Sequence, residues 1–130
     1  FSNKRILLAE DNELNAEIAT ELLEMLEISV DWVENGREAV ETVENSEEGY
    51  YDLILMDVQM PVLDGYGATS TIRKLNRKDA KKIPIVAMTA NAFAEDVNDA
   101  LNAGMTEHIA KPVDLKQLEK VLRRYLCRQG

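Results

Sequence analysis

Arg5-Ile6-Leu7-Leu8-Ala9-Glu10-Asp11-Asn12 is the stretch that decides the fold. Its apolar run is short and unbroken, as in a strand covered on both faces, and it stops at two adjacent carboxylates. Behind it, Leu14, Ile18, Leu22 and Leu26, with Ala19 and Leu23, form an apolar stripe at helical spacing, and Asn12 stands where an N-cap belongs. A strand followed by a helix over 13–26 is therefore expected. The alternation then recurs. Residues 53–56 and 83–88 are further near-continuous apolar runs, with Pro84 near the start of the second, where a missing N–H is tolerated. Residues 30–33 and 107–109 are shorter and interrupted by polar side chains, which suits sheet edges. Helices are expected over 36–43, 66–75 and 93–101, the last closed by Gly104 as a left-handed cap. A fifth begins at Asp114, which has capping-box spacing to Gln117, and buries Leu115, Leu118, Val121, Leu122 and Tyr125. Repeated strand–helix units make a parallel sheet, and placing the polar runs at its edges predicts strand order 2-1-3-4-5.

The whole chain agrees with one α/β domain over residues 1–130. Its 130 residues, 45% hydrophobic and 30% charged, can bury a core and keep a soluble surface. The formal charge of −9 repels phosphate backbones and anionic membrane surfaces, so neither nucleic acid nor direct membrane contact is expected. A single cysteine, Cys127, leaves no intrachain disulfide and suits a reducing compartment, and a cytoplasmic location is expected for the domain even if its parent chain is membrane-anchored. No apolar run approaches the roughly 20 residues of a membrane helix. A start without methionine suggests a piece cut from a longer protein. The basic residues between Arg73 and Lys82 read as a solvated helix end and loop, and Gly65-Tyr66-Gly67 as a turn opening the third helix.

In an open parallel sheet the ligand site lies beyond the carboxyl ends of the strands, where the strand order reverses. Glu10-Asp11 ends the first strand, Asp57 the third and Thr89 the fourth, and Lys111-Pro112 follows the fifth. Two carboxylates ~5 Å apart at an effective dielectric of ~20 repel by ~3 kcal/mol, so three need a compensating cation. Magnesium, content with one or two carboxylates, waters and phosphate oxygens, suits so sparse an acidic set better than calcium.

Leu7-Leu8-Ala9-Glu10-Asp11-Asn12, Leu55-Met56-Asp57-Val58-Gln59-Met60-Pro61, Met88-Thr89-Ala90 and Ile109-Ala110-Lys111-Pro112, in this order at four strand ends, resemble the signature segments of response-regulator receiver domains. The resemblance spans about residues 4–125 and is closest to receivers of hybrid sensor histidine kinases. It implies a doubly wound (βα)5 flavodoxin-like three-layer sandwich. Asp57 matches the phosphoacceptor. Asp11, Asp57 and the Gln59 carbonyl match magnesium ligands, with Glu10 acting through water. Thr89 and Lys111 match the groups that contact the phosphoryl oxygens, and a cis bond before Pro112 is implied.

The implied function is a phosphoacceptor in a His-to-Asp phosphorelay, catalysing its own aspartyl phosphorylation and dephosphorylation; the parent chain could be a histidine kinase. The implied partner is a histidine kinase or histidine phosphotransfer domain docking over the first helix and the loop after strand five, with Leu14, Asn15, Ile18 and Pro112 as contacts. A monomer is expected, with the face of the 93–101 helix, strand five and the fifth helix open to dimerisation. One position departs from the pattern: His108 stands where receivers often carry a switching tyrosine or phenylalanine. It reads equally as an edge-strand residue or as a pH-sensitive switch. Two rivals fail on their residues. A flavodoxin-type cofactor loop would not place carboxylates after strand one, and an aspartyl phosphatase of the haloacid dehalogenase type needs an aspartate where Gln59 stands. A receiver-like interaction module that is never phosphorylated remains the alternative.

Overall fold

The computed structural model describes residues 3–60, 62–89, 101–111 and 113–126. In chain order it contains β1 (Arg5–Ala9), α1 (Glu13–Met25), β2 (Ser29–Val33), α2 (Gly36–Asn45), β3 (Leu53–Asp57), α3 (Gly65–Arg73), α4 (Lys78–Lys82), β4 (Ile85–Thr89), β5 (Glu107–Ala110) and α5 (Leu115–Leu126). The five strands pair in parallel in the order β2-β1-β3-β4-β5. Alternation along each strand splits the core in two. Leu8, Leu55, Met88 and Ile109 pack with Ala19, Leu23, Leu118 and Leu122 of α1 and α5. Leu7, Ile54, Met56 and Ala87 pack with Ala39, Val43, Ala68 and Ile72 of α2 and α3 on the opposite face. The result is a three-layer α/β sandwich whose strands all end at one edge.

Local chemistry accounts for the element ends. Asn12, Asn35 and Asp64 cap α1, α2 and α3 by accepting the N–H of Asn15, Glu38 and Gly67. Asp114 accepts the Gln117 N–H at 2.7 Å as expected, while the Gln117 side chain accepts the Ala110 N–H at 3.2 Å, which ties α5 to the end of β5. Gly104 adopts φ +105° and its N–H reaches the Leu101 carbonyl at 3.0 Å. Residues 101–103 are helical, and the rest of the helix expected over 93–101 lies outside the described residues, as do Pro112, the bond before it and Cys127. Among the described residues no helix is long and apolar enough to cross a membrane.

Three expectations need correction. Of the stripe expected on α1, Ala19 and Leu23 are buried together with Ala16, whereas Leu14 and Ile18, also expected as partner contacts, are 64% and 44% exposed, because the small residues lie closest to the sheet. β4 begins at Ile85, leaving Ile83 and Pro84 before it. The basic stretch runs from the end of α3, as expected, into the short helix α4 in place of a loop, and its arginines are structural rather than solvated. Arg77 pairs with Asp79 at 2.9 Å and reaches the Val43 and Ser46 carbonyls at the end of α2. Arg73 donates to the Gly104 and Ala80 carbonyls, and Lys81 to the Arg73 and Leu75 carbonyls closing α3. These cations satisfy orphan helix carbonyls at the negative ends of helix dipoles.

The end of α1 offers a stability test. The Glu27 N–H bonds Glu24 O at 2.9 Å and the Ile28 N–H bonds Leu23 O at 3.1 Å, a Schellman motif that puts Glu27 at φ 65°. That conformation disfavours a residue with a Cβ, and the carboxylate faces the negative helix end. Glu27→Gly is expected to stabilise the domain by about 1 kcal/mol, read as a higher urea midpoint at unchanged slope.

Candidate functional site

Glu10 lies one residue beyond β1, Asp57 at the last position of β3, and both are almost fully buried, at 2% and 3% exposure. Parallel pairing brings them together, since Ala9 stands opposite Met56 in the β1·β3 register. Lys111, one residue past β5, places its Nζ 2.9 Å from Asp57 Oδ2 and 3.2 Å from Glu10 Oε1. A half-buried ammonium thus bridges two buried carboxylates. It is held there through its backbone, because the Lys111 N–H donates to the Thr89 carbonyl at 2.8 Å. The Gln59 N–H approaches Asp57 Oδ1 at 3.3 Å, and the Asn12 N–H donates to Glu10 Oε2 at 3.1 Å.

Burial, followed by a hydrogen bond to Asp57 and that residue's charge, pushes the Glu10 carboxyl up to about 7, against the opposing pull of the Asn12 N–H and Lys111. Burial alone pulls the Lys111 ammonium down, but Asp57 and Glu10 outweigh it and hold its pKa above the ordinary lysine value. One cation for two buried carboxylates leaves negative charge uncompensated.

Asp11 is exposed and completes an acidic triad, in which oxygens of Glu10, Asp11 and Asp57 lie within 4.8 Å of one another. Oxygen-only donors at this separation, one open to solvent, fit a hard divalent cation that keeps waters or a phosphoryl oxygen in its remaining positions. Thr89 joins the site through the backbone bond to Lys111. His108 lies half-buried on β5 opposite Ala87, so alternation turns it to the sheet face away from α1 and α5. Leu14, Asn15 and Ile18 line the exposed side of α1, and a cleft of about 270 Å³ runs from Glu10 and Lys111 between Ile18, Asn15 and Val113.

Two supports were missed by reading the sequence. Gly65 sits so close to the carboxyl end of β3 that a Cβ there would lie 2.3 Å from the Asp57 carbonyl oxygen, and its N–H bonds Val58 O at 2.9 Å. A glycine just after the capping Asp64 was the available signal. The Trp32 indole N–H donates to the Glu10 carbonyl at 2.8 Å. That contact depends on the β1·β2 register and has no signal in the sequence.

The family model of the response regulator receiver domain matches residues 6–123. Hybrid signal transduction histidine kinase G of Dictyostelium discoideum is 45% identical over 93% of the chain. The chain spans 4% to 16% of the length of curated relatives such as this one. Among solved structures, the receiver domain of sensor histidine kinase PA1611 from Pseudomonas aeruginosa PAO1, with magnesium coordinated in its active-site cleft, is 38% identical with a TM-score of 0.87, covering 98% of this chain and 100% of that one. The receiver domain of Ssk1, co-crystallised with the histidine phosphotransfer protein Ypd1 of Saccharomyces cerevisiae, is 34% identical with a TM-score of 0.86, covering 98% of this chain and 91% of that one.

Proposed function

The chain belongs to the response regulator receiver family, and on that premise we propose that it accepts a phosphoryl group from phosphohistidine onto Asp57. The observation that carries this reading is the buried Asp57 carboxylate held 2.9 Å from Lys111 beside two further carboxylates. An Asp57 oxygen attacks phosphorus, the P–N bond to imidazole breaks as the P–O bond forms, and imidazole leaves with the bonding pair and takes up a proton. Such transfers pass through a loose transition state, so the protein's work is in-line positioning and neutralisation of the equatorial oxygens. Lys111 supplies a fixed positive charge at Asp57, and Thr89 stands beside it to contact a phosphoryl oxygen. Glu10, Asp11 and Asp57, with the Gln59 carbonyl, would hold magnesium, which adds the neutralising charge the site lacks. The test is intact-mass spectrometry after incubation with a small acyl phosphate. A hydroxylamine-labile phosphoryl adduct is expected with magnesium and not with a chelator; an adduct indifferent to chelation would sink the assigned metal-assisted site, and no adduct under either condition would favour the unphosphorylated interaction module.

The raised Glu10 pKa has a pH consequence. A cation needs the carboxylate form, so binding must expel the proton that Glu10 keeps below pH 7. With a single controlling group near 7, magnesium affinity should be roughly tenfold weaker at pH 6 than at pH 8, measured by isothermal titration in buffers of different ionisation heat to count the released protons. Equal affinities at the two pH values would show that Glu10 is already ionised.

The proposed donor is a histidine kinase or histidine phosphotransfer domain seated on the exposed Leu14, Asn15 and Ile18 beside the cleft. Because Ile18 is 44% exposed, Ile18→Glu should leave stability within about 0.5 kcal/mol. Transfer from a cognate phosphohistidine protein should fall at least about tenfold, as for a lost interface anchor, with labelling by the small donor unchanged. Equal loss with both donors would mean that the surface is not a docking site. His108 extends the reading to output, since it lies on the face of β5 shared with Ala87. NMR of its ring with and without a phosphoryl mimic tests a switching role, and a ring indifferent to the mimic rules that role out.

A further inference from the structure

Glu10 is held at four points. Its N–H donates to Val33 O at 3.1 Å, Lys111 reaches Oε1 at 3.2 Å, and the Asn12 N–H reaches Oε2 at 3.1 Å. Its carbonyl is the outlier. β1 ends at Ala9, so this oxygen lies past the last paired residue of the strand, and the group that takes it is a side chain. Trp32 stands opposite Leu8, two residues back, and its indole runs along the strand direction to bring Nε1 within 2.8 Å of Glu10 O. Nε1 is a donor only, so its contact with the carbonyl has one polarity. The ring is 39% exposed and lines a groove with Ala16, Val30 and Glu17 between α1 and β2. An edge-strand tryptophan needs no such bond to pack.

The bonded oxygen belongs to the peptide plane between Glu10 and Asp11. Holding that plane restricts ψ of Glu10 and φ of Asp11 together, and so restricts the direction of both side chains. This matters most for Asp11, which is solvent-exposed and takes its direction from the backbone more than from packing. Without the bond, two of the three carboxylates in the triad lose a common fixed point.

We infer that Trp32 is a positioning residue for the acidic site, its indole N–H orienting the Glu10–Asp11 peptide so that the Glu10 and Asp11 carboxylates converge with Asp57 on a divalent cation. This rests on the phosphoacceptor reading and deepens it. The indole touches neither phosphoryl group nor cation; it acts through the peptide it holds.

The decisive variant replaces Trp32 with benzothienylalanine, which keeps the ring's shape and puts sulfur where the N–H stands, alongside Trp32→Phe. Magnesium affinity is measured by isothermal titration, and labelling by the small acyl phosphate at limiting and saturating magnesium. Loss of one well-placed hydrogen bond should weaken magnesium binding about five- to tenfold, with the melting temperature of the benzothienylalanine protein nearly unchanged. Labelling should slow at limiting magnesium and recover at saturation, a split that a merely structural role would not produce. Magnesium affinity within twofold of wild type in the benzothienylalanine protein would overturn the inference while leaving the phosphoacceptor reading intact. Absence of magnesium binding by the wild-type protein would overturn both.

Discussion

Asp57→Asn is expected to fold more stably than the wild-type protein and to accept no phosphoryl group at all. The amide keeps the size of the side chain but lacks the anionic oxygen that displaces imidazole or acetate from phosphorus, so labelling should fall by at least about 10³-fold. The gain in stability has a separate cause. Glu10, Asp11 and Asp57 crowd oxygens within 4.8 Å, with Lys111 as the cation bridging the two buried members. Removing one of three like charges should stabilise the metal-free domain by about 1–2 kcal/mol at pH 8. Magnesium should offset less of the variant's unfolding than of the wild type's, because a ligand is gone. Urea denaturation with and without magnesium, run beside the labelling assay, reads both effects. An adduct of wild-type lability on the variant would mean that another residue is the acceptor.

Lys111→Met should produce the opposite stability change. The methionine retains much of the lysine stem and deletes the ammonium that lies 2.9 Å from Asp57 and 3.2 Å from Glu10. Two buried carboxylates then face each other without a cation, and the metal-free domain should lose about 2–3 kcal/mol at pH 8, below the full value for a broken buried pair because the lysine is partly solvated. The pH dependence follows from Glu10. Its folded pKa, about 7 against an ordinary 4.5, lies above the unfolded value, so the stabilisation from its protonated form is fully present below 4.5 and is lost as pH rises through 7. The penalty of Lys111→Met should therefore shrink toward pH 5, where a protonated Glu10 can donate to Asp57, and should also shrink at pH 8 on adding magnesium. Phosphoryl uptake should drop roughly 10²-fold even at saturating magnesium, since a preorganised charge at the developing phosphoryl oxygens is gone. A penalty independent of both pH and magnesium would show that Lys111 contributes packing rather than charge.

The legible part of the site consists of residues at strand ends. Glu10, Asp11 and Asp57 stand at the ends of short apolar runs whose length and continuity mark buried parallel strands, Lys111 follows a shorter, polar-interrupted run that reads as an edge strand, and all such strands end at the same edge of the sheet. Asn12 and Asp114 are legible as caps because their effect is confined to the next three residues. Spacing put Leu14 and Ile18 in the apolar stripe as well as among the partner contacts, and it could not decide between the two for the reason that makes helices predictable at all. Spacing assigns residues to a stripe, but the face turned to the sheet depends on how closely the helix packs, and here Ala16 and Ala19 allow the closer approach. Arg73 and Arg77 were misread because a charged residue's destination depends on which orphan carbonyls stand nearby. Those carbonyls, of Gly104, Ala80, Val43 and Ser46, lie between 7 and 34 positions away in the chain.

By itself the sequence determined the strand–helix alternation, the strand order and the set of charged groups delivered to one edge of the sheet. These follow from periodicity, run length and polarity, which are properties of neighbouring residues. Only the tertiary structure decided that Lys111 bridges Glu10 and Asp57, that Trp32 holds the Glu10 carbonyl, and that α1 offers Leu14 and Ile18 to solvent. Each of these depends on strand register and helix approach, and hydrogen bonds and ion pairs change over tenths of an ångström between segments far apart in the chain, a scale that residue spacing does not encode.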